Sequence, residues 1–384
     1  MNINGVIMAD MSSLTVFSPE VYDQRLRRAQ EITRSAGIDA VVVATGEDFF
    51  YLTGSTLSSH ERLTALIIPA EGKPQLFAPG TDILDLNLSP VPNLDVEVHG
   101  WNDGDDIYGQ VAKAIGQDGA TVAATAALTA DHLFQLQGLV DAQWVLANTA
   151  LAELFSSKDE AEIDELRKAA QAIDRVHAKV PDLLQPGRTE REVAEDLTAM
   201  ILEEHVSVDF VIVGSMENGA NPHHSFSDRV INAGDPVVVD IGGTLETGYH
   251  SDCTRTYVAG GDISQAPEDF LKAYEVLQAA QKASLEFSKP GRTAQEIDAS
   301  SRTPITEAGY GAYFTHRLGH GIGLSGHEEP FIIAGNDLVI RESMAFSIEP
   351  GIYMPGKWGM RIEDIVTTTA DGIESLNQGP RGLR

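Results

Sequence analysis

The sequence predicts a mixed α/β protein of two domains, in which a small α/β domain precedes a larger α+β domain built from two related halves. Three observations support this architecture. The chain has 384 residues, and a single hydrophobic core stops growing at roughly 250–300 residues. The first part of the chain alternates helix and strand patterns, and the remainder repeats itself. We therefore expect domains at residues 1–154 and 155–384.

The small domain is predicted from its alternating patterns. Ser18 and Pro19 mark the start of a helix whose apolar positions recur up to Gly37. The β-branched run at 40–43 then predicts a strand, and the apolar runs 63–68 and 75–77, separated by a turn rich in Pro and Gly, predict a hairpin. A second set of helix and strand patterns lies between 107 and 139.

The larger domain is predicted to open with a helix. Ser157 and Glu160 match a capping box ahead of an apolar stripe that continues to about Val180. Beyond this helix the sequence repeats itself, because the segment QPGRT at 185–189 returns as KPGRT at 289–293.

Two further pairs of similar segments follow in the same order. The residues leading to Asp240 resemble those leading to Glu349, and 248–252 parallels 359–363. The spacing of about a hundred residues is too long for a solenoid repeat. Two related halves that face each other across a pseudo-twofold axis would each contribute two carboxylates to a central site.

The last third of the chain carries a set of potential metal ligands in apolar surroundings: Asp240, Asp252, His320, Glu349 and Glu363. Four buried carboxylates would repel one another unless cations lay between them. Two divalent metal ions about 3.5–4 Å apart would satisfy all four, an arrangement that hydrolases use.

The charge of the chain excludes some partners. Lys and Arg number 27 against 57 Asp and Glu, which gives a formal net charge of −30. Such a protein repels phosphate backbones and anionic lipid headgroups. We therefore expect neither nucleic acid nor a membrane as a partner.

The cysteine content and the N-terminal segment bear on location. The single cysteine, Cys253, excludes an intramolecular disulfide, fits a reducing compartment and is predicted to be a buried structural thiol. The segment before Thr15 has neither a basic region nor a sustained apolar run, and no stretch of about 18 apolar residues occurs. A cytoplasmic protein is expected.

Several segments together resemble a known family, the pita-bread-fold metallopeptidases, and within it the Xaa-Pro peptidases prolidase and aminopeptidase P. They are NPHHSFSDRVI, VVVDIGG, GYHSDCTRTY, HRLGHGIGLSGHEEP, SIEPGIY and GMRIED, spread over 221–364. The earlier segment EDFFYLTG, with Arg62 after it, resembles the creatinase-like N-terminal domain of the family. The resemblance implies a creatinase-like domain at 1–154 and a pita-bread catalytic domain at 155–384.

The resemblance also implies roles for the ligand set. Asp240, Asp252, His320, Glu349 and Glu363 would hold two divalent ions, with Asp252 and Glu363 bridging them. Manganese is expected because four of the five ligands are hard oxygens, although the same ligands bind cobalt or zinc. Glu349 would also be the general base.

Other residues take family positions around the ligands. His223 would polarise the scissile carbonyl, with His224 as the alternative, and His327 would assist collapse of the tetrahedral intermediate. His316 is a candidate for the wall of the substrate pocket. Arg361 would either orient a carboxylate ligand or bind the C-terminal carboxylate of the substrate.

One position departs from the family pattern, since Gly326 stands where a branched aliphatic residue is usual. This difference affects the wall of the pocket beside His327. Thr254, two residues after Asp252, is a candidate to support that ligand.

The implied function is hydrolysis of the bond between an N-terminal residue and proline in a small peptide, by a homodimeric enzyme. The short connection from Glu349 to Glu363 favours a dipeptidase, prolidase, over an aminopeptidase P that accepts longer peptides. A creatinase-type amidinohydrolase and a metal-free binding module are the alternatives from other classes. Retention of all five ligands argues against both.

Overall fold

The structure, a computed structural model, describes residues 17–58, 61–116 and 118–384. The chain divides into two compact units, Met1–Phe155 and Ser156–Arg384. The segment before Thr15, on which the expected location partly depends, lies outside the described residues. No helix in the described ranges combines the length and the apolar character needed to cross a bilayer.

The described part of the N-terminal unit contains a six-stranded mixed sheet with the strand order β4-β3-β2-β1-β5-β6. Its strands are β1 (Ala40–Ala44), β2 (Ala65–Pro69), β3 (Gln75–Pro79), β4 (Glu97–Trp101), β5 (Thr121–Ala124) and β6 (Gln143–Leu146). Strands β2 and β3 pair antiparallel, which confirms the predicted hairpin. Strand β1 is buried throughout because it lies in the interior of the sheet.

The helices of this unit are α1 (Pro19–Ser35), α2 (Glu47–Thr53), α3 (Ile83–Leu86), α4 (Ile107–Ile115), α5 (Ala130–Gln137), α6 (Ala147–Ala150) and α7 (Ala152–Ser156). Helix α1 begins at Pro19, as predicted, and buries Tyr22, Leu26 and Ala29. The chain leaves this helix through Gly37, whose φ of 69° is readily adopted by glycine.

The helices of the C-terminal unit are α8 (Glu160–His177), α9 (Val180–Leu183), α10 (Glu190–Glu204), α11 (Glu268–Phe287) and α12 (Ala294–Glu307). Its strands are β7 (Ser207–Ser215), β8 (Pro236–Thr244), β9 (His250–Val258), β10 (Gly319–Gly321), β11 (Glu328–Ile332), β12 (Ala345–Ile348), β13 (Gly351–Met354), β14 (Trp358–Arg361), β15 (Asp364–Thr368) and β16 (Ile373–Ser375). They form the sheets β7-β8-β9, β11-β10-β12-β15-β16 and β13-β14. Short 3-10 helices lie at Val91–Asn93, Met216–Ala220, Ile263–Gln265 and Gly311–Tyr313.

The cap predicted for α8 is wrong by two residues. Asp159, rather than Ser157, is the N-cap, and its Oδ1 accepts from the backbone N–H of Glu162 at 2.9 Å. The side chain of Glu162 in turn accepts from the backbone N–H of Asp159. The backbone N–H of Lys158 donates to the carbonyl of Ser343, so this part of the chain is paired with the second half and the helix begins only after it.

The predicted repeat is confirmed by matching local structure. Helices α10 and α12 begin with the same capping box, Thr189 with Glu192 and Thr293 with Glu296. The loop ahead of each helix makes the same pair of backbone hydrogen bonds to the segment that precedes the ligand strand. The backbone N–H groups of Gly187 and Gly291 donate to the carbonyls of Ile231 and Ile340, and those of Ile231 and Ile340 donate to the carbonyls of Arg188 and Arg292.

Candidate metal centre

The strands of both halves bring the sequence-predicted site residues to one cavity of about 900 Å³ in the C-terminal unit. The following predicted residues line it: Asp240, Asp252, His320, Glu349, Glu363, His223, His316, His327 and Arg361. Sequence separation between these residues reaches well over a hundred positions, so the convergence is a property of the tertiary structure.

Strand register places the two aspartates side by side. Asp240 in β8 pairs with Thr254 in β9, and Asp252 pairs with Gly242, in an antiparallel ladder. The two aspartates are therefore diagonal neighbours on one face of the sheet.

Close backbone packing places His320 beside Glu349. The backbone N–H of His320 donates to Ser347 Oγ at 3.0 Å, and the backbone N–H of Glu349 donates to the carbonyl of Leu318. A Cβ atom at Gly319 would overlap the carbonyl oxygen of Ser347. Glycine is therefore required at 319 for this approach.

The ligand atoms lie close enough to share cations. His320 Nε2 lies 3.6 Å from Asp252 Oδ2 and 3.3 Å from Glu349 Oε1. One donor atom each of Asp252, His320 and Glu363 fall within 4.8 Å of one another. Asp240 Oδ1 and Glu363 Oε1 are buried and have no hydrogen-bond partner among the described residues. Buried carboxylate oxygens of this kind fit divalent metal ions, which accept oxygen donors and neutralise their charge.

The electrostatics of three carboxylates agree with this fit. Burial and the neighbouring carboxylates hold the pKa values of Asp252 and Glu363 well above the usual range, and burial raises the pKa of Asp240. A carboxylate in such surroundings is stable in its ionised form only with a compensating cation.

Glu349 behaves differently. Burial alone would raise its pKa, but the contact with His320 outweighs burial and brings the pKa to about 2. Ser347 Oγ donates to Glu349 Oε1 at 3.0 Å and holds the carboxylate in place. Glu349 is therefore ionised at neutral pH.

Arg361 is engaged with the ligand set. It forms an ion pair with Asp240 Oδ2, and its Nε donates to Thr254 Oγ1 at 2.9 Å while its Nη1 donates to the Tyr353 hydroxyl at 2.7 Å. Thr254 Oγ1 donates to Glu363 at 2.7 Å, so this threonine supports Glu363 rather than Asp252. Of the two roles that the sequence left open for Arg361, these contacts favour the orientation of carboxylate ligands.

Two of the predicted histidines are held neutral at neutral pH. Burial lowers the pKa of His316 to about 4, and its Nε2 lies 2.9 Å from the Tyr353 hydroxyl. Burial together with the neighbouring His320 lowers the pKa of His327 to about 4, and the ring centroids of His320 and His327 lie 4.0 Å apart. Each neutral imidazole carries one N–H that can donate to a substrate oxygen or to a protein acceptor.

The structure distinguishes the two histidines that are candidates for polarising the scissile carbonyl. His223 lines the cavity, whereas His224 is not among the lining residues and its Nε2 lies 2.9 Å from Glu190 Oε2. This placement favours His223 for the position beside the scissile carbonyl.

Comparison with known proteins agrees with this geometry. Residues 164–370 match the model of metallopeptidase family M24, and residues 25–154 match the creatinase/prolidase N-terminal domain. The chain belongs to metallopeptidase family M24. The pita-bread fold and the metallopeptidase class expected from the resemblance are thereby confirmed.

Relatives of this M24 chain match it over nearly its whole length. A probable dipeptidase, PepE, of Mycobacterium tuberculosis is 50% identical over 368 residues, covering 96% of this chain and 97% of the relative. The Xaa-Pro dipeptidase of Lactobacillus delbrueckii subsp. lactis is 35% identical and covers 94% and 98%. The crystal structure of dipeptidase PepE from Mycobacterium ulcerans superimposes with a TM-score of 0.91 at 48% identity, covering 96% and 98%.

Sequence reasoning missed one acidic residue of this M24 site. Glu190 is fully buried at the first turn of α10. It accepts hydrogen bonds from the backbone and side chains of Ser215 and Ser227, from Asn218 and from His224. An acid at this position is usually a solvated group that complements the helix dipole, so only the tertiary structure reveals its burial.

Proposed function

We propose that this metallopeptidase is a dipeptidase that cleaves the bond between an N-terminal residue and proline. The observation that carries the proposal is the convergence of five ligand side chains in one cavity, two of them with buried oxygens that have no hydrogen-bond partner among the described residues. The names of the relatives, dipeptidase and Xaa-Pro dipeptidase, support the same substrate class.

Two divalent metal ions, which we take to be manganese, are proposed to bind Asp240, Asp252, His320, Glu349 and Glu363. Carboxylate oxygens are the ligands that manganese prefers. When bound, such ions act as Lewis acids that polarise the scissile carbonyl and acidify water. Elemental analysis of protein prepared without chelators should find close to two equivalents per chain.

The side chains around this site are assigned the remaining steps. Glu349, ionised at neutral pH, accepts a proton from the attacking water and passes it to the leaving proline nitrogen. His223 donates a hydrogen bond to the developing oxyanion, and His327 stabilises the intermediate as it collapses. Because a bond to proline has no amide N–H, the pocket must recognise the shape of the ring.

The finer organisation of the protein follows the same resemblance. We propose a creatinase-like domain at 1–154, a catalytic domain at 155–384, and a homodimer in the cytoplasm. Sedimentation equilibrium of the purified protein should give twice the chain mass of 41.3 kDa.

The decisive experiment is a substrate panel. Manganese-loaded enzyme should hydrolyse Ala-Pro, leave Ala-Pro-Ala largely intact and cleave Ala-Ala slowly, and a chelator should abolish the activity. Preferential cleavage of Ala-Pro-Ala would instead establish an aminopeptidase P. Activity on creatine alone would overturn the peptidase proposal.

A further inference from the structure

An acidic residue lies at an irregularity in the strand that forms one wall of the cavity. The pairing of β7 with β8 shifts between Val208 and Phe210, so Asp209 is an extra residue in the ladder. Bulges of this kind redirect a side chain and are frequent next to active sites. Asp209 lines the same cavity as the ligands, and its side chain is 22% exposed.

The carboxylate of Asp209 is fixed by two polar neighbours that leave some of its acceptor positions available. Thr244 Oγ1 donates to Asp209 Oδ1 at 2.7 Å, and His250 Nδ1 lies 2.6 Å from Asp209 Oδ2. These contacts and the charge of His250 lower the pKa of Asp209 despite its partial burial, which alone would raise it. A carboxylate has about four acceptor positions, so a further donor can bind.

Gly326, the position that departs from the family pattern, faces this pair. A Cβ atom added at Gly326 would meet His250 Nδ1 at 3.9 Å, and no other described atom lies within 4 Å of it. A branched aliphatic side chain there would extend towards the pair, whereas glycine leaves the space open.

The register of the sheet indicates which part of a dipeptide can reach Asp209. Phe210 of β7 pairs with Gly242 of β8, and Gly242 pairs on its other edge with the ligand Asp252 of β9. Asp209 therefore lies level with Asp252 but two strand spacings away from it across the sheet, roughly 9–10 Å between backbones. The α-ammonium nitrogen of a dipeptide lies only about 2.5 Å from the scissile carbonyl carbon. That group therefore stays near the ligands, and a long side chain is what extends to Asp209.

We propose that Asp209 and the opening at Gly326 form a side-chain subsite that selects dipeptides carrying lysine or arginine. The long stem of such a side chain spans the distance, and its cationic end adds a charge-assisted hydrogen bond to the carboxylate. Among the described residues that line the cavity, Asp209 is the acid outside the ligand set, and the nearby Glu328 is already paired with Lys158. This inference rests on the proposed dipeptidase function and extends its substrate class.

The test compares cationic with neutral side chains of similar shape. Manganese-loaded enzyme is assayed on Lys-Pro against Met-Pro, on Ala-Lys against Ala-Met, and on Ala-Pro as reference. With lysine at either the first or the second position of the dipeptide, kcat/KM should be roughly tenfold higher for the lysine peptide than for its methionine counterpart. A difference of this size is the effect of one charge-assisted hydrogen bond. The comparison that shows the preference identifies which residue of the dipeptide binds the subsite.

Variants separate the subsite from the fold. Asp209→Asn should reduce the lysine preference to about onefold, whereas Asp209→Glu should retain part of it. Gly326→Val should lower kcat/KM for the lysine peptide more than for Ala-Pro. Asp196 lies on α10 and pairs with Arg188. Asp196→Asn is the matched control and should leave the preference unchanged.

The outcomes distinguish the two proposals. Equal rates for lysine and methionine peptides at both positions, or a preference that survives in Asp209→Asn, would overturn the subsite while Ala-Pro hydrolysis still supported the dipeptidase. Cleavage of Ala-Lys that depends on Asp209, without cleavage of Ala-Pro, would keep the subsite and remove the proline preference. Loss of all dipeptide hydrolysis in the metal-loaded wild type would overturn both.

Discussion

The pKa values of carboxylates a few ångströms apart in this cavity are shifted in opposite directions by their immediate neighbours. The pKa of Glu349 lies at about 2 because His320 offsets its burial. The pKa of Asp252 lies well above the usual range because burial is reinforced by other carboxylates. Residue type alone therefore does not set the proton affinity of either acid.

Glu349 is the residue whose loss should affect turnover most directly. Glu349→Gln removes the proton acceptor and one ligand charge, so kcat on Ala-Pro should fall by at least ~10²–10⁴-fold. Glu374→Gln, at a partly exposed ion pair with Arg167, is the control and should be nearly neutral. Near-normal turnover of Glu349→Gln with two metal equivalents bound would show that another group is the base.

Arg361 allows a second test at this scale. Arg361→Lys keeps the charge but cannot reproduce the contacts to Asp240, Thr254 and Tyr353. Loss of such an orienting contact typically weakens metal affinity about 10–100-fold. Metal titration should detect that loss, whereas a rise in KM with unchanged metal affinity would point to binding of the substrate carboxylate instead.

At the scale of elements, the loop after Met216–Ala220 is fixed to helix α10 through one buried acid. Glu190 holds Ser215, Asn218, His224 and Ser227 at once. His223 lies within this loop and lines the cavity. The carboxylate of Glu190 therefore fixes the residues on either side of His223.

This anchoring predicts a kinetic effect without loss of metal. Glu190→Gln replaces an acceptor oxygen with a donor that opposes the hydroxyl and amide donors around it, so the loop should shift and kcat should fall about tenfold or more. His224→Gln keeps a donor for Glu190 and should retain most activity. Metal content should stay near that of the wild type in both variants, and reduced metal content in Glu190→Gln would indicate general unfolding of the site.

At the scale of the whole catalytic unit, the two halves meet through a buried ion-pair network behind the ligands. Arg255 of β9 donates to Asp364 Oδ1 at 2.7 Å and also to the carbonyl of Glu363. Gln281 of α11 and Arg381 both donate to the other oxygen of Asp364. These contacts connect a strand of the first half to the ligand segment of the second half.

Metal removal should make the stability of the unit depend on pH. In metal-free protein the raised pKa values of Asp252 and Glu363 mean that the folded state holds protons which the unfolded chain releases above about pH 4. Their contribution to stability is present below that pH and is lost as pH rises through the raised values. The thermal midpoint of chelator-treated protein should thus fall, relative to manganese-loaded protein, as the pH rises above about pH 4.

Asp252→Asn provides the control for this effect. Without one of the repelling charges, the metal-free variant should show a weaker dependence on pH than metal-free wild type. A constant difference in thermal midpoint between metal-free and metal-loaded wild type across this range would contradict the electrostatic account.

The sequence by itself determined the features that depend on local patterns. Apolar periodicity located β1 and α1, the two PGRT segments revealed the repeat, and the five ligand positions could be named because each lies in a distinctive short motif. The buried state predicted for Cys253 is confirmed.

Only the tertiary structure decided features that depend on which distant residues meet. Ser157 matched the capping pattern, but pairing of the neighbouring Lys158 with the second half moved the cap to Asp159. His223 and His224 are adjacent in sequence, but His224 contacts the buried Glu190 whereas His223 lines the cavity. The physical reason is that ion pairs and hydrogen bonds across more than a hundred residues leave no trace in local periodicity, although they determine burial, orientation and charge at the site.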